Sequence, residues 1–131
     1  MTYRELYDSA LRIISESDGN LTNEDYEERA GYILATFCNE CDVIDQKYCD
    51  AHGLAKTGVS PKTCVTLSES FPLNAILAPA AVYYLGARLV SDENVSLCDR
   101  LFELYTDAIS SIQAGIPWSK HKIVNQYPNV T

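Results

Sequence analysis

Phe71-Pro72-Leu73-Asn74-Ala75-Ile76-Leu77-Ala78-Pro79-Ala80-Ala81-Val82-Tyr83-Tyr84-Leu85-Gly86-Ala87 runs seventeen residues without a charge, and Arg88 ends it. Such a run sits at the lower edge of what spans a bilayer, where about 20 apolar residues are needed. Asn74, Pro72 and Pro79 interrupt it, so a buried core helix is the better reading. Leu73, Ile76, Leu77, Ala80, Ala81, Tyr84, Leu85 and Leu89 leave almost no polar face. A helix apolar all round is enclosed by others, so this stretch predicts the central helix of an all-α bundle. Pro72 suits a first helical position. Pro79 either kinks the helix or marks its true start. Arg88 precedes Asp92 by four residues, the spacing of a surface ion pair.

Three more helical patterns surround this one. From Thr2 to Ser17, Tyr3, Leu6, Tyr7, Ala10, Ile13 and Ile14 share one face, with Arg4, Glu5, Asp8, Arg12 and Glu16 on the other. Gly19 stands where a left-handed helix terminator is expected. A second pattern starts near Thr22, where Thr22-x-x-Asp25 approximates a capping box. It carries Tyr26, Ala30, Ile33, Leu34, Phe37, Cys41, Ile44 and Tyr48 at spacings of three and four, and ends near Gly53. Asp25 and Arg29 are placed to pair. A fourth starts between Ser91 and Val95. Leu97, Leu101, Leu104, Ala108 and Ile112 form one row, and Cys98, Phe102, Tyr105 and Ile109 the next, until Gly115 and Pro117 stop it. Residues 53–70 have no helical period. They read as a long loop, mobile or functional, with Val65-Thr66-Leu67 as a possible short strand. Residues 1–117 thus form one helical domain of about four helices, and 118–131 an extended tail.

Composition narrows the function. The chain has 131 residues, 47% apolar and 21% charged, which is ordinary for a globular domain. Ten basic residues against eighteen acidic give a net charge of −8. Binding nucleic acid through phosphates needs a basic face, and an anionic membrane surface needs the same. The first residues lack the charged-then-apolar pattern of a signal peptide. Five cysteines, an odd number, read as reduced cytosolic thiols and not as a disulfide framework.

Cys38-x-x-Cys41 followed by Cys49-x-x-His52 has the residue types and paired spacing of a structural zinc site. It also lies inside the second helical pattern. In a continuous helix Cys38 and Cys49, eleven residues apart, stand about 16 Å from each other. Zinc holds each sulfur at about 2.3 Å, so site and helix exclude one another. The apolar spacing runs straight through Cys41, which favours the helix. A cytosolic regulatory or interaction module built on that zinc site is the alternative. Cys–His catalysis has only His52 and His121 to draw on, and no nucleophile signature surrounds a cysteine. No phosphate-binding glycine loop, serine elbow or His-Glu-x-x-His is present. Glu27-Glu28 and Asp92-Glu93 are adjacent pairs that do not converge on one centre, and they read as solvated surface. Nine tyrosines suit core edges and interfaces. Tyr3, Tyr26, Tyr48, Tyr84 and Tyr105 are expected at the core edge. In the tail, Trp118, Ile123, Val124 and Tyr127 are apolar residues that dock either back or onto a partner.

Phe71-Pro72-Leu73, Tyr83-Tyr84-Leu85-Gly86-Ala87-Arg88-Leu89, Asp92-Glu93 and Leu101-Phe102-Glu103-Leu104-Tyr105 together resemble the central signature of phage head–tail connector proteins. These are the head-to-tail adaptors of tailed phages and prophages. Glu28-Arg29-Ala30 and Leu34 before it, and Ile123-x-x-x-Tyr127 after it, extend the resemblance over the layout of the whole chain. Its motifs are helix-packing patterns, and the cysteine cluster is not among them. The resemblance implies a virion structural protein with no catalytic activity and no cofactor. It implies a ring, commonly of twelve copies, beneath the portal. C-terminal segments engage the portal, at positions matching Ile123 and Tyr127 here, and Trp118 and Val124 add a possible interface. The opposite side meets the next neck or tail protein. Such a protein resides in the host cytoplasm during assembly and then in the virion neck, away from membranes and without sequence-specific contact to nucleic acid.

Overall fold

The computed structural model describes residues 1–19, 24–56 and 58–116. Four α-helices follow in order: α1 Tyr3–Ser17, α2 Tyr26–Ala51, α3 Ala78–Leu89 and α4 Val95–Ala114, with a 3-10 turn at Ala75–Leu77 before α3. The chain is an all-α bundle. Among the described residues no helix is long and apolar enough to cross a membrane.

α3 is the centre, as its uncharged sequence predicts. Nine of its twelve residues are buried, and it packs against α4, α1 and α2. Its start differs from the Pro72 expectation. Residues 71–74 are not helical, and Asn74 caps the 3-10 turn by accepting a hydrogen bond from the Ile76 N–H at 3.0 Å. Pro79 falls in the first turn of α3, where its missing N–H and fixed φ cost nothing. Of its two possible roles it takes that of marking the start. Arg88 does not reach Asp92. It turns back one helical turn, donates to the Tyr84 hydroxyl at 3.3 Å and lies over that ring.

α1 buries Tyr3, Leu6, Tyr7, Ala10 and Ile14, the face expected, with Ile13 half-buried. It ends at Asp18 without a left-handed residue. Among the described residues the positive φ belongs to Gly53, at 65°. There α2 closes in a Schellman arrangement: the Leu54 N–H donates to the Cys49 carbonyl at 2.8 Å and the Gly53 N–H to Asp50 at 3.4 Å. Thr22, the expected cap of α2, lies outside the described residues. The first described cap, Asp25, makes no side-chain capping bond, although it pairs with Arg29 at 3.8 Å. α4 opens on Asn94, whose side chain accepts from the Leu97 N–H at 3.0 Å, and stops at Gly115 as its sequence predicts.

The connection from α2 to α3 forms no strand at Val65–Leu67. Its isolated antiparallel bridge pairs Thr2 with Ser70. It also supplies what the start of α1 lacks: the orphan N–H groups of Tyr3 and Arg4 donate to the carbonyls of Glu69 and Leu67. Val65 packs onto α2, its N–H donating to the Gly31 carbonyl at 3.1 Å. Gly31 makes this approach possible, because a Cβ there would meet the Val65 carbonyl oxygen at 2.6 Å. The loop, read from sequence as mobile or functional, is fastened to α1 and, from Gly31 to Asp45, to α2.

Candidate functional site

The four residues of the zinc pattern are not brought together. α2 is one uninterrupted helix of 26 residues, and each pattern residue has a different neighbour. Cys38 Sγ lies 3.6 Å from the Tyr3 hydroxyl. Cys41 faces Tyr105. Cys49 Sγ donates to Asp45 at 3.8 Å. His52 is exposed and packs on the Tyr48 ring. Burial raises the thiol pKa of Cys38, Cys49 and Cys98, and pushes Cys41 up to about 11. These thiols stay protonated at neutral pH, unlike the thiolates that bind zinc or attack substrates. Among the described residues no group of three or more His, Cys, Asp or Glu side chains is placed to hold a metal ion.

The chemistry that sequence reasoning missed lies on the same helix. Asp45 is 1% exposed and is the buried charged residue of the described core. Its Oδ2 accepts from Lys56 Nζ at 2.8 Å, and its Oδ1 from the Asn74 N–H at 2.8 Å and from Cys49 Sγ. Lys56 Nζ also donates to Asp42 at 2.6 Å. Burial opposes the charge on Lys56, but the two carboxylates overcome it and hold the ammonium pKa above its usual value. A lysine held in that state is a fixed cation and not a base. The cluster ties both ends of the long loop to α2. One signal for it was available: Cys41, Asp45 and Cys49 recur at the four-residue spacing of a buried row. Lys56 lies in the loop, where no periodicity applies.

The residues that carry the connector resemblance do converge. Tyr84, Leu85, Ala87 and Leu89 of α3 are buried with Leu101 of α4, and Phe71 and Leu73 close the base. Tyr84 sits 5.2 Å from Tyr105, 5.6 Å from Phe37 and 6.3 Å from Phe102 between ring centroids, in tilted and edge-on contacts. Phe37 continues this cluster to Phe71. Tyr3 and Tyr26 are buried like Tyr84, while Tyr48 and Tyr105 are half-buried. Glu93 is not merely solvated; it accepts from the Tyr26 hydroxyl at 3.0 Å. Glu27 likewise pairs with Arg4.

Outward-facing groups are of another kind. Tyr32 is 55% exposed, Val43 60% and Val95 65%, with Leu104 at 37%. Arg29, beside Tyr32, donates to the carbonyls of Arg88 and Leu89 and so covers the C-terminal end of α3. Apolar and aromatic side chains on rigid helices are the material of protein interfaces. Ile123, Tyr127, Trp118 and Val124, the positions matched to portal docking and its neighbouring interface, lie outside the described residues.

No protein-family model matches the chain, and no curated protein or solved structure matches it either.

Proposed function

We propose that this chain is a virion structural adaptor, a head–tail connector that works by protein–protein contact and has no catalytic step. One observation carries the reading. The stretches that resemble the connector signature, dispersed from Phe71 to Tyr105, fold into a single packed hairpin of α3 and α4 with an aromatic cluster at its base. The acidic surface fits a ring through which DNA passes, because like charge repels phosphate. On this reading copies assemble as a ring on the portal, and the tail docks through Ile123 and Tyr127. The outer surface receives the next neck or tail protein. The protein then resides in the host cytoplasm before joining the virion neck. The zinc module lacks such support, since the continuous α2 separates its ligands.

The test mixes the purified chain with a tailed-phage portal protein and reads co-migration by size-exclusion chromatography and ring formation by electron microscopy. The full chain is expected to decorate the portal. A chain cut after Ile116 is expected to keep its helical circular dichroism and lose the portal. Failure of the full chain to bind, or binding unaffected by the truncation, refutes the assignment of docking to the tail.

A further inference from the structure

Between α2 and the C-terminal end of α3 lies a shallow groove of about 320 Å³, lined by Arg29, Tyr32, Ile33, Arg88 and Ser91. Two guanidinium groups share it, on a chain whose net charge is −8. The fold sets both in place. Arg29 donates to the carbonyls of Arg88 at 2.9 Å and Leu89 at 3.3 Å. Arg88 donates to the Tyr84 hydroxyl at 3.3 Å, and its guanidinium carbon stands 5.6 Å from the centre of that ring. Arg4, Lys56 and Lys62 each face a carboxylate. Arg88 is exposed, and among the described residues no ion pair engages it. Tyr84 uses one N–H of its fork, which leaves the other donors for a ligand. The carbonyls at the end of a helix would repel an anion. Here Arg29 and the Ser91 hydroxyl already cover the Arg88 carbonyl, and Arg29 covers that of Leu89.

We propose that this groove receives a side-chain carboxylate from an acidic, apolar peptide segment of a partner protein. The charge count sets the class of ligand. Asp25 stands 3.8 Å from Arg29, so two guanidinium charges less one carboxylate leave a single positive charge. A monoanion balances that charge, whereas a phosphate dianion exceeds it. The planar guanidinium fork also matches a carboxylate through two parallel hydrogen bonds. Tyr32 lines the groove and is 55% exposed, so its ring is open to an apolar neighbour of the incoming carboxylate. Arginine and tyrosine are the side chains that most often anchor protein interfaces. Because both arginines are already held, binding immobilises little that was free, and that lowers the entropic cost of the contact. The inference names the chemistry of a partner and does not rest on the connector reading.

The probe is the peptide acetyl-Leu-Glu-Leu-amide, titrated into the full chain at low salt. Nitrogen-15 NMR follows the backbone amides and the arginine Nε–H signals. Saturable shifts are expected at Arg88, Arg29, Tyr32 and Ser91. The same peptide with Gln in place of Glu should bind at least about tenfold more weakly, the size of one charge-assisted hydrogen bond. Arg88→Gln should cause a similar loss while far-UV circular dichroism is kept. Tyr32→Ser, at an exposed site, should weaken binding without abolishing it; if Arg88→Gln fails to fold, an affinity unchanged by Tyr32→Ser overturns the proposal. Absence of shifts at Arg88 overturns it, as does equal binding of the Glu and Gln peptides. Inorganic phosphate that binds these residues more tightly than the Glu peptide overturns the carboxylate class. Shifts at the groove that grow with protein concentration in the absence of peptide assign it to a second copy, which overturns the proposal too.

Discussion

Replacing Asp45 by asparagine is expected to cost the fold about 3 kcal/mol. Asp45 is 1% exposed and the side chain of its partner Lys56 is 5% exposed. Removing one member of a buried pair costs about 3–5 kcal/mol when the other charge is left uncompensated; here Lys56 keeps Asp42 at 2.6 Å. Asparagine keeps an oxygen for the Asn74 N–H, a bond worth about 1 kcal/mol, which places the substitution at the low end. Lys56→Met preserves most of the stem's volume but strands the Asp45 carboxylate, and a similar loss follows. The double variant Asp45→Asn, Lys56→Met should cost at least about 2 kcal/mol less than the sum of the singles, because neither unpaired charge remains. A domain of this size holds about 5–15 kcal/mol in all, so each single variant forfeits a large share. Urea denaturation followed by far-UV circular dichroism measures all four proteins. Singles that cost under about 1 kcal/mol, or a double variant that is simply additive, would refute the claim that this pair is buried and mutually dependent.

Gly31→Ala sets helix propensity, a gain of about 1 kcal/mol, against a Cβ placed 2.6 Å from the Val65 carbonyl oxygen. Overpacking costs about 1–3 kcal/mol and the Val65–Gly31 hydrogen bond is lost besides, so net destabilisation of about 1–2 kcal/mol is expected in the same assay; a stabilised variant contradicts the close approach. Alkaline pH should weaken the fold. Burial lifts Cys41 from 9.0 to about 11 and, with the bond to Glu93, Tyr26 from 10.0 to about 12. The folded chain then keeps protons that the unfolded chain releases, so stability holds below about pH 8.5 and falls through pH 9–11, by up to about 2–3 kcal/mol for Cys41 alone. Unfolding free energies that stay level from pH 8 to 10.5 contradict this. Added zinc should leave Tm unchanged, and a chelator should not unfold the chain, because continuous helix holds Cys38 and Cys49 about 16 Å apart; a metal-dependent rise in Tm would mean that α2 breaks.

What was legible in the sequence was whatever a helical period encodes. The uncharged run predicts the centre, and the buried faces of α1 and α4 follow from spacings of three and four. The zinc question turned on the same geometry: rise per residue sets the separation of Cys38 and Cys49 in a continuous helix, and the unbroken α2 supplies that helix. The failures share a physical cause. Gly19 and Gly53 both stand just past a helix, and local sequence does not say which adopts the left-handed turn. The difference comes from Leu54, whose N–H finds the Cys49 carbonyl. Pro72 and Pro79 were both acceptable starts; the choice fell to Asn74, which is anchored by Asp45 from another helix. The loop could not be read because its order comes from partners as far as 70 positions away, such as Gly31 for Val65 and Met1 for Phe71. Lys56 belongs with these. A lone lysine in an aperiodic segment carries no mark of the two carboxylates that receive it.

The resemblance and the surface therefore bear on different questions. Tyr84, Leu85, Ala87, Leu89 and Leu101 are buried, so packing alone accounts for them, and a partner is not needed to explain why they are there. A bundle can keep that signature and change its partner. On the proposed reading, any contact that makes the chain a connector must use residues that packing leaves free, such as Tyr32, Val43 and Val95 on the helices. Those same positions are the ones whose replacement alters folding stability least, within about 0.5 kcal/mol for an ordinary exposed site. Stability and assembly are thus separable by position. If the proposed connector role holds, an assembly defect that travels with lost stability points back to the hairpin of α3 and α4, and one that leaves stability intact locates the contact surface.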